Sequence, residues 1–305
     1  MKYLMILFSL VCGCAIGQSK TAGKVYLSVD RGVNWSPAGS GLPTDATVNA
    51  WITTDGIVVA GTERHGVFMS SDRMKNWYPS SKGLPANARI ISLLQAENLL
   101  FVGTHVNGLY SSDNGGDRWY PVNKGLTNSN IRALYYLDRQ IFAGTDNGLF
   151  VSHDAGKSWN ALLNGLQINS LTSENHELFV ATNEGVLRTD DLGVNWKWIF
   201  SEGAINSLTT DSKDIYVLDY FQKVYKSSRD NYVWIKADLF LPFHYTFRIT
   251  AAGRPFFTSD WRRSINGINS TNDVFWANGI PENVYINEML DTPYGILAAG
   301  GLMKE

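Results

Sequence analysis

The chain has 305 residues, a formal net charge of −2 and 12% aromatic residues. That balance leaves no basic face for nucleic acid or an anionic membrane surface. Its 28 glycines suit a chain with many tight turns.

The first 17 residues stand apart. Lys2 precedes an apolar run from Leu4 to Val11, and small residues follow. The pattern predicts a secretory signal, too short to span a bilayer as a mature helix. Two processing routes are open. Cleavage after Ala15-Ile16-Gly17 would release a soluble exported protein starting at Gln18. Alternatively, Val11-Cys12-Gly13-Cys14 resembles a bacterial lipobox and would leave Cys14 lipidated, although Val11 and Cys12 stand where Leu and a small Ala or Ser are usual. Both cysteines belong to this segment, so residues 18–305 are expected to fold as one domain without a disulfide.

From Val25 onward one phrase keeps returning. Ser28-Val29-Asp30-Arg31-Gly32-Val33-Asn34-Trp35 recurs from Ser70 to Trp77, from Ser152 to Trp159 and from Thr189 to Trp196. Weaker copies end at Trp119, Trp234 and Trp276. A fixed period of about 40 residues announces a repeat architecture. Each unit reads as four strands. The first follows a Gly-Leu-Pro turn or a relative (Gly41-Leu42-Pro43, Gly83-Leu84-Pro85, Gly125-Leu126-Thr127, Gly165-Leu166-Gln167) and includes Val48–Ile52, Ile90–Leu94, Ile131–Tyr135, Ile168–Leu171 and Ile205–Leu208. The second is Ile57–Thr62, Leu100–Thr104, Ile141–Thr145 and Leu178–Thr182; the third starts near Gly66, Gly108, Gly148 and Gly185; the fourth starts at each tryptophan. These are short β-branched and aromatic runs between glycine and polar turns, with no sustained helical period. Ala60-Gly61, Val102-Gly103 and Ala143-Gly144 suggest close packing near a crowded central axis.

Four antiparallel strands per repeat describe a propeller blade. The expected fold is therefore all-β: a seven-bladed β-propeller of four-stranded antiparallel blades, at about 41 residues per blade. Val25–Ser28 reads as a third strand, while Val284–Asn287 and Gly295–Ala299 read as a first and a second. Pairing of these terminal strands would close the ring and remove its open edges.

The phrase Ser/Thr-x-Asp-x-Gly-x-x-Trp resembles the Asp-box, or BNR repeat. Copies at Ser28, Ser152 and Thr189 match fully; Met74 replaces glycine in the copy at Ser70, and Asn114 with Gly116 stand for Asp and Gly in the copy at Ser112. At Ser227, Arg229 and Asn231 replace both. The resemblance covers about residues 24–305 and implies a scaffold made of Asp30, Gly32, Trp35, Asp72, Trp77, Asn114, Gly116, Trp119, Asp154, Gly156, Trp159, Asp191, Gly193, Trp196 and Trp234. In that role Asp pins a turn through backbone N–H groups, Gly supplies a special backbone conformation and Trp covers the hairpin. The family includes sialidases, xyloglucan-active glycosidases, sortilin-type receptors and photosystem II assembly factors, so it does not choose between enzyme and binding scaffold. It implies that the boxes lie opposite the functional face.

Functional residues are then expected on the loops joining second to third strands and fourth strands to the next blade. The early loops are short (Glu63-Arg64-His65, His105-Val106-Asn107, Asp146-Asn147, Asn183-Glu184). Later segments depart from the pattern: Asp219-Tyr220-Phe221-Gln222, Phe243-His244 and Asp260-Trp261-Arg262-Arg263. Asp219, Tyr220, Phe221, Phe243, His244, Asp260, Trp261, Arg262 and Arg263 form the candidate ligand-binding patch, a mixture of aromatic faces, arginines and carboxylates suited to carbohydrates or peptides. Drift of the late repeats, with the aromatics filling gaps, is the other reading. No catalytic residue is assigned. Phe247-Arg248-Ile249-Thr250 resembles the Arg-Ile-Pro motif of sialidases but has Thr250 in place of proline, and it reads as an inner strand. His65, His105, His153, His176 and His244 lack metal-ligand spacing, so neither metal nor cofactor is expected. The expectation is an exported bacterial monomer, periplasmic, extracellular or an outer-membrane lipoprotein, serving as a non-catalytic scaffold for a protein or glycan partner. A glycoside hydrolase is the alternative.

Overall fold

The computed structural model describes residues 25–30, 32–210, 213–221, 223–236, 246–251, 255–259, 264–267, 274–276, 278–281 and 284–302. Every regular element among them is a β-strand. No helix among the described residues is long and apolar enough to cross a membrane. Sheet I orders Val48–Thr54, Ile57–Thr62, Val67–Ser70 and Tyr78–Pro79 side by side, each antiparallel to the last. The same order recurs in sheets II (90–121), III (131–164), IV (168–200), V (205–236) and VI (246–276). A further sheet draws on both ends of the chain, in the order Ser36–Pro37, Val25–Ser28, Gly295–Leu302, Val284–Thr292. Its central register runs from Val25 opposite Ala299 to Ser28 opposite Ile296.

The core lies between sheets. Second strands are the most buried elements, with Val59, Phe101, Val102, Phe142, Ala143, Phe179 and Val180 all inaccessible to water. Their terminal glycines answer to the neighbouring sheet rather than to the central axis. A Cβ on Gly61, Gly103 or Gly144 would overlap Ile90, Ile131 or Ile168, the residue that opens the next sheet's first strand. Only glycine lets two strands of adjacent sheets approach this closely.

The outer strands correct the expected boundary. In sheets I to IV the fourth strand starts one residue after the tryptophan, and in sheets I to III the tryptophan N–H is donated to the preceding loop instead. Trp77 N–H, for example, bonds the Ser40 carbonyl at 2.8 Å, in the loop before sheet I. In sheet V the strand does start at Trp234.

The repeated turn joins third and fourth strands. In sheet I, Ser70 Oγ donates to Asp72 (2.9 Å) and accepts the Met74 N–H (3.1 Å), while Asp72 accepts Asn76 N–H (3.0 Å) and Asn76 Nδ2 (2.8 Å). The same pattern is built on Asp30, Asp154 and Asp191. These four carboxyls sit at about 2, held down chiefly by the residue four places on: the Asn34, Asn76 and Asn195 backbone N–H groups and, for Asp154, the Ser158 hydroxyl. Each is thus committed to its own turn. Trp35, Trp77, Trp119 and Trp159 are buried; Trp196 and Trp234 are half-buried.

Candidate functional site

The face opposite these turns is shaped by one irregularity repeated in every first strand described with its neighbour. Pairing slips by one residue between Val48 and Ala50, Ile90 and Ser92, Ile131 and Ala133, Ile168 and Ser170, Ile205 and Ser207, and Ile286 and Glu288, and sheet VI slips as well, between Thr246 and Ile249. A β-bulge leaves its extra residue out of the ladder and re-aims it. The extra residues are Asn49, Ile91, Arg132, Asn169, Asn206 and Asn287, a largely polar set at one level of the sheets.

Two of the asparagines reach across to the next sheet. Asn49 Nδ2 donates to the Ile90 carbonyl (3.1 Å) and Asn169 Nδ2 to the Ile205 carbonyl (2.8 Å). Asn49 also donates to Glu63 (2.8 Å), which accepts Arg89 Nε (2.8 Å) as well. Arg132 is the centre of the arrangement. Its Nε donates to Asn169 Oδ1 (3.0 Å) and its Nη1 to Asp146 (3.1 Å), while Asn130 Nδ2 donates to the other Asp146 oxygen. Gln167 Nε2 continues the chain, donating to Asn169 Oδ1 (2.7 Å) and to the Tyr220 hydroxyl (3.3 Å). One connected network therefore runs Asn130–Asp146–Arg132–Asn169–Gln167–Tyr220, across sheets III, IV and V. Arg132, Asn169 and Asn206, with Ser92, Ser207 and Glu288, also line a cavity of about 200 Å³ between the first strands.

The connecting loops are fixed by a residue type that looks unremarkable in the sequence. Thr62, Thr104, Thr145 and Thr182 each donate Oγ1 to a glycine carbonyl three or four residues on (2.8, 2.7, 2.9 and 3.1 Å). Each also accepts a loop N–H, which pins the turn from both sides. In sheet V, Asp219 takes the threonine's place. It is buried and accepts the Lys223 N–H at 2.7 Å, so its carboxylate holds the turn. Beyond it the longer loop presents Tyr220 (46% exposed) and Phe221 (83% exposed) to solvent. Of the candidate patch, Asp219, Tyr220 and Phe221 thus fall together beside the polar network. Phe243, His244, Asp260, Trp261, Arg262 and Arg263 lie outside the described residues, as does Cys14.

Sequence reasoning did not find Asn130, Arg132, Gln167 or Asn169. Their signal was faint: a polar residue on each side of the leading Ile of a first strand, in Asn130-Ile131-Arg132 and Gln167-Ile168-Asn169. His65 pairs with Asp45 at 3.0 Å, and among the described residues no three His, Cys, Asp or Glu side chains are grouped to hold a metal ion. Chemically the mouth offers fixed donors and acceptors beside exposed aromatic surface. Its carboxylates Glu63 and Asp146 are each held by two donors.

No family model matches the chain, and no curated protein does. Solved structures do resemble it. The extracellular domain of BT4673 from B. thetaiotaomicron superposes with a TM-score of 0.67 at 16% identity, covering 85% of this chain and 39% of that one. An ancestral GH74 enzyme gives 0.67 at 15% identity, with 92% and 46% covered. The chain spans less than half the length of these two proteins. YCF48 bound to D1 peptide gives 0.70 at 14% identity, with 86% and 91% covered. Identities this low establish architecture alone: the chain has a β-propeller fold.

Proposed function

We propose that this protein is an exported, seven-bladed Asp-box propeller that serves as a non-catalytic scaffold, holding a protein or glycan partner on the face opposite the boxes. The observation that carries the reading is the network from Asn130 to the Tyr220 hydroxyl, which ends one residue before the exposed Phe221. Fixed polar groups beside aromatic surface are the usual makings of a recognition site. The commitment of Asp30, Asp72, Asp154 and Asp191 to their own turns supports placing function on the other face. The antiparallel pairing of Val25–Ser28 with Gly295–Leu302 supports ring closure. The apolar run from Leu4 to Val11 supports export, whether as a soluble protein or through Cys14 as a lipoprotein. Asp260, Trp261, Arg262, Arg263, Phe243 and His244 are assigned to the same patch.

The test is binding of the purified protein to arrays of peptides and glycans, with sugar release assayed on every glycan bound. A hit that weakens about tenfold or more in Phe221→Ala and Arg132→Gln, without sugar release, is expected. Sugar release that depends on Asp146 or Glu63 would replace the scaffold with a hydrolase. Hits indifferent to both substitutions would move the site elsewhere.

A further inference from the structure

The box face carries a cavity of about 380 Å³ between sheets II and III, larger than the axial one. Its floor is apolar: Ala96 and Ile141 are buried, and Leu99 completes it. Tyr136 forms a wall, with its hydroxyl donated to Glu97 at 3.0 Å. Around the rim stand His153, Lys157 and Arg139, the last with its side chain 86% exposed.

The repeat explains why the cavity exists here. The residue after the turn's Asp or Asn adopts a left-handed conformation in sheets I to IV: Arg73 at φ +60°, Gly115 at +67°, Ala155 at +58° and Leu192 at +57°. Where a side chain is present there, at Arg73, Ala155 and Leu192, it faces the preceding sheet. In sheet I, Arg73 lies over the Tyr294 ring, 5.3 Å from its centre. In sheet IV, Leu192 packs on the apolar cluster between sheets III and IV. In sheet III the side chain is cut back to Ala155, and the volume stays open. Sheet II has the smaller Gly115, but there the two flanking positions are Asp113 and Asp117. In sheet III the same two positions are His153 and Lys157. Sheet III therefore combines the truncation with a lysine and a histidine.

The acids at this rim are already engaged. Asp154 accepts Ser158 N–H (2.8 Å), Ser158 Oγ (2.5 Å) and Ser152 Oγ (2.8 Å), all within its own turn. Glu97 accepts the Tyr136 hydroxyl and lies 3.7 Å from Arg139 Nη2. Lys157 and His153 have no acidic partner among the described residues. An apolar floor with an aromatic wall and an uncommitted lysine at the rim matches a ligand with an apolar body and one anionic end. We propose that this cavity binds a small organic carboxylate, its apolar part on Ala96, Leu99 and Ile141 and its carboxylate on Lys157, with Arg139 and His153 beside it.

The probe is benzoate, with neutral benzamide as its control, added to the full chain carrying labelled alanine methyl groups. Benzoate is expected to shift the Ala155 and Ala96 methyl signals saturably, and benzamide to leave them in place. Ala155→Leu copies the residue that sheet IV tolerates at the same φ, so the fold is expected to persist while the Ala96 response disappears. Lys157→Gln, at an exposed position, is expected to weaken benzoate binding about tenfold. Equal shifts with benzamide, unchanged binding in either variant, or no saturation below about 20 mM benzoate would each overturn the proposal.

Discussion

The joints between early sheets and those between later sheets are built differently. Going into sheets I, II and III, the tryptophan indole N–H reaches back to the preceding sheet, onto the Ala38, Ser80 and Val122 carbonyls at 2.7, 2.7 and 2.9 Å. Its backbone N–H bonds the preceding loop as well, and Gly41, Gly83 or Gly125 lies directly against its carbonyl. Between sheets III and IV this clasp is missing. The buried Trp196 indole nitrogen has no acceptor, and Gly165 faces open space. Leu162, Leu163, Leu166 and Leu192 fill the joint instead. The cause is chain length. Twelve residues separate Trp77 from Ile90, but eight separate Trp159 from Ile168, and five of those eight are spent in the outer strand Asn160–Asn164. A loop that short does not wrap back to the next tryptophan. Sheet V differs again: the Trp234 indole N–H does reach back, onto the Ile199 carbonyl at 2.5 Å, but Arg229 stands in the turn acid's place and leaves its own turn. It bonds Glu177 (3.1 Å) and the Glu174 carbonyl (3.4 Å) of sheet IV. The backbone half of the clasp goes with the longer loops; where the loop shortens, apolar packing or a charge network joins the sheets, with the indole bond kept at Trp234 and lost at Trp196.

Glycine substitutions give the largest contrast. Gly125 sits at φ +94°, and a Cβ there would overlap the Trp159 carbonyl. Gly125→Ala is expected to destabilise by about 3 kcal/mol, combining left-handed strain with backbone displacement. Gly165, at φ +78° with nothing within 4 Å, carries only the strain, so Gly165→Ala is expected to lose about 1 kcal/mol. Urea unfolding of both variants measures the difference. Equal losses would mean that the two joints are alike after all.

Arg229 comes next. Its side chain is 11% exposed and bridges to Glu177, whose side chain is 19% exposed. Arg188 also holds Glu177, which limits the damage when Arg229 is removed. Arg229→Ala is expected to destabilise by about 2 kcal/mol, less than a fully buried pair would lose. Arg229→Asp would restore the box acid yet place a third carboxylate beside Glu174 and Glu177, and it is expected to be worse than alanine. Were Arg229→Asp to stabilise the protein, the local turn rather than the inter-sheet network would govern sheet V.

The same contrast separates what could be read in the sequence from what could not. The propeller fold was legible because one phrase returns at a fixed period, and the turns of Asp30, Asp72, Asp154 and Asp191 because their hydrogen bonds close within four residues, as between Asp72 and Asn76. Tyr220 and Phe221 were legible as a break in a short, regular loop. Arg132 was not, because its partners Asp146 and Asn169 lie 14 and 37 residues away and meet it only through a bulge. A bulge is a property of register between two strands, and no single residue type marks it. Arg229 was legible only as a departure from the box; its function depends on Glu177, 52 residues earlier. The cavity at Ala155 depends on side-chain volume and charge at three positions of the turn, 153, 155 and 157, which the repeated phrase leaves free to vary.

The smallest expected effect tests the box itself. The carboxyls of Asp30, Asp72, Asp154 and Asp191 lie at about 2, below the ordinary 3.8. A carboxyl lowered on folding stabilises fully above its unfolded value, and that contribution fades as pH falls through its folded value. The window is therefore pH 4 down to 2. Sheet II holds the internal control. Asn114 accepts Arg118 N–H at 3.1 Å and the Ser112 hydroxyl at 2.8 Å through an amide oxygen that does not ionise. Hydrogen exchange between pH 5 and pH 2 is expected to show protection falling at Asn76, Ser158 and Asn195 relative to Arg118. Asn114→Asp should bring Arg118 into line with the others. Parallel loss at all four amides in the unsubstituted protein would show that acid loosens the hairpins through some other group, and the turn carboxylates would lose their role as the local fastening.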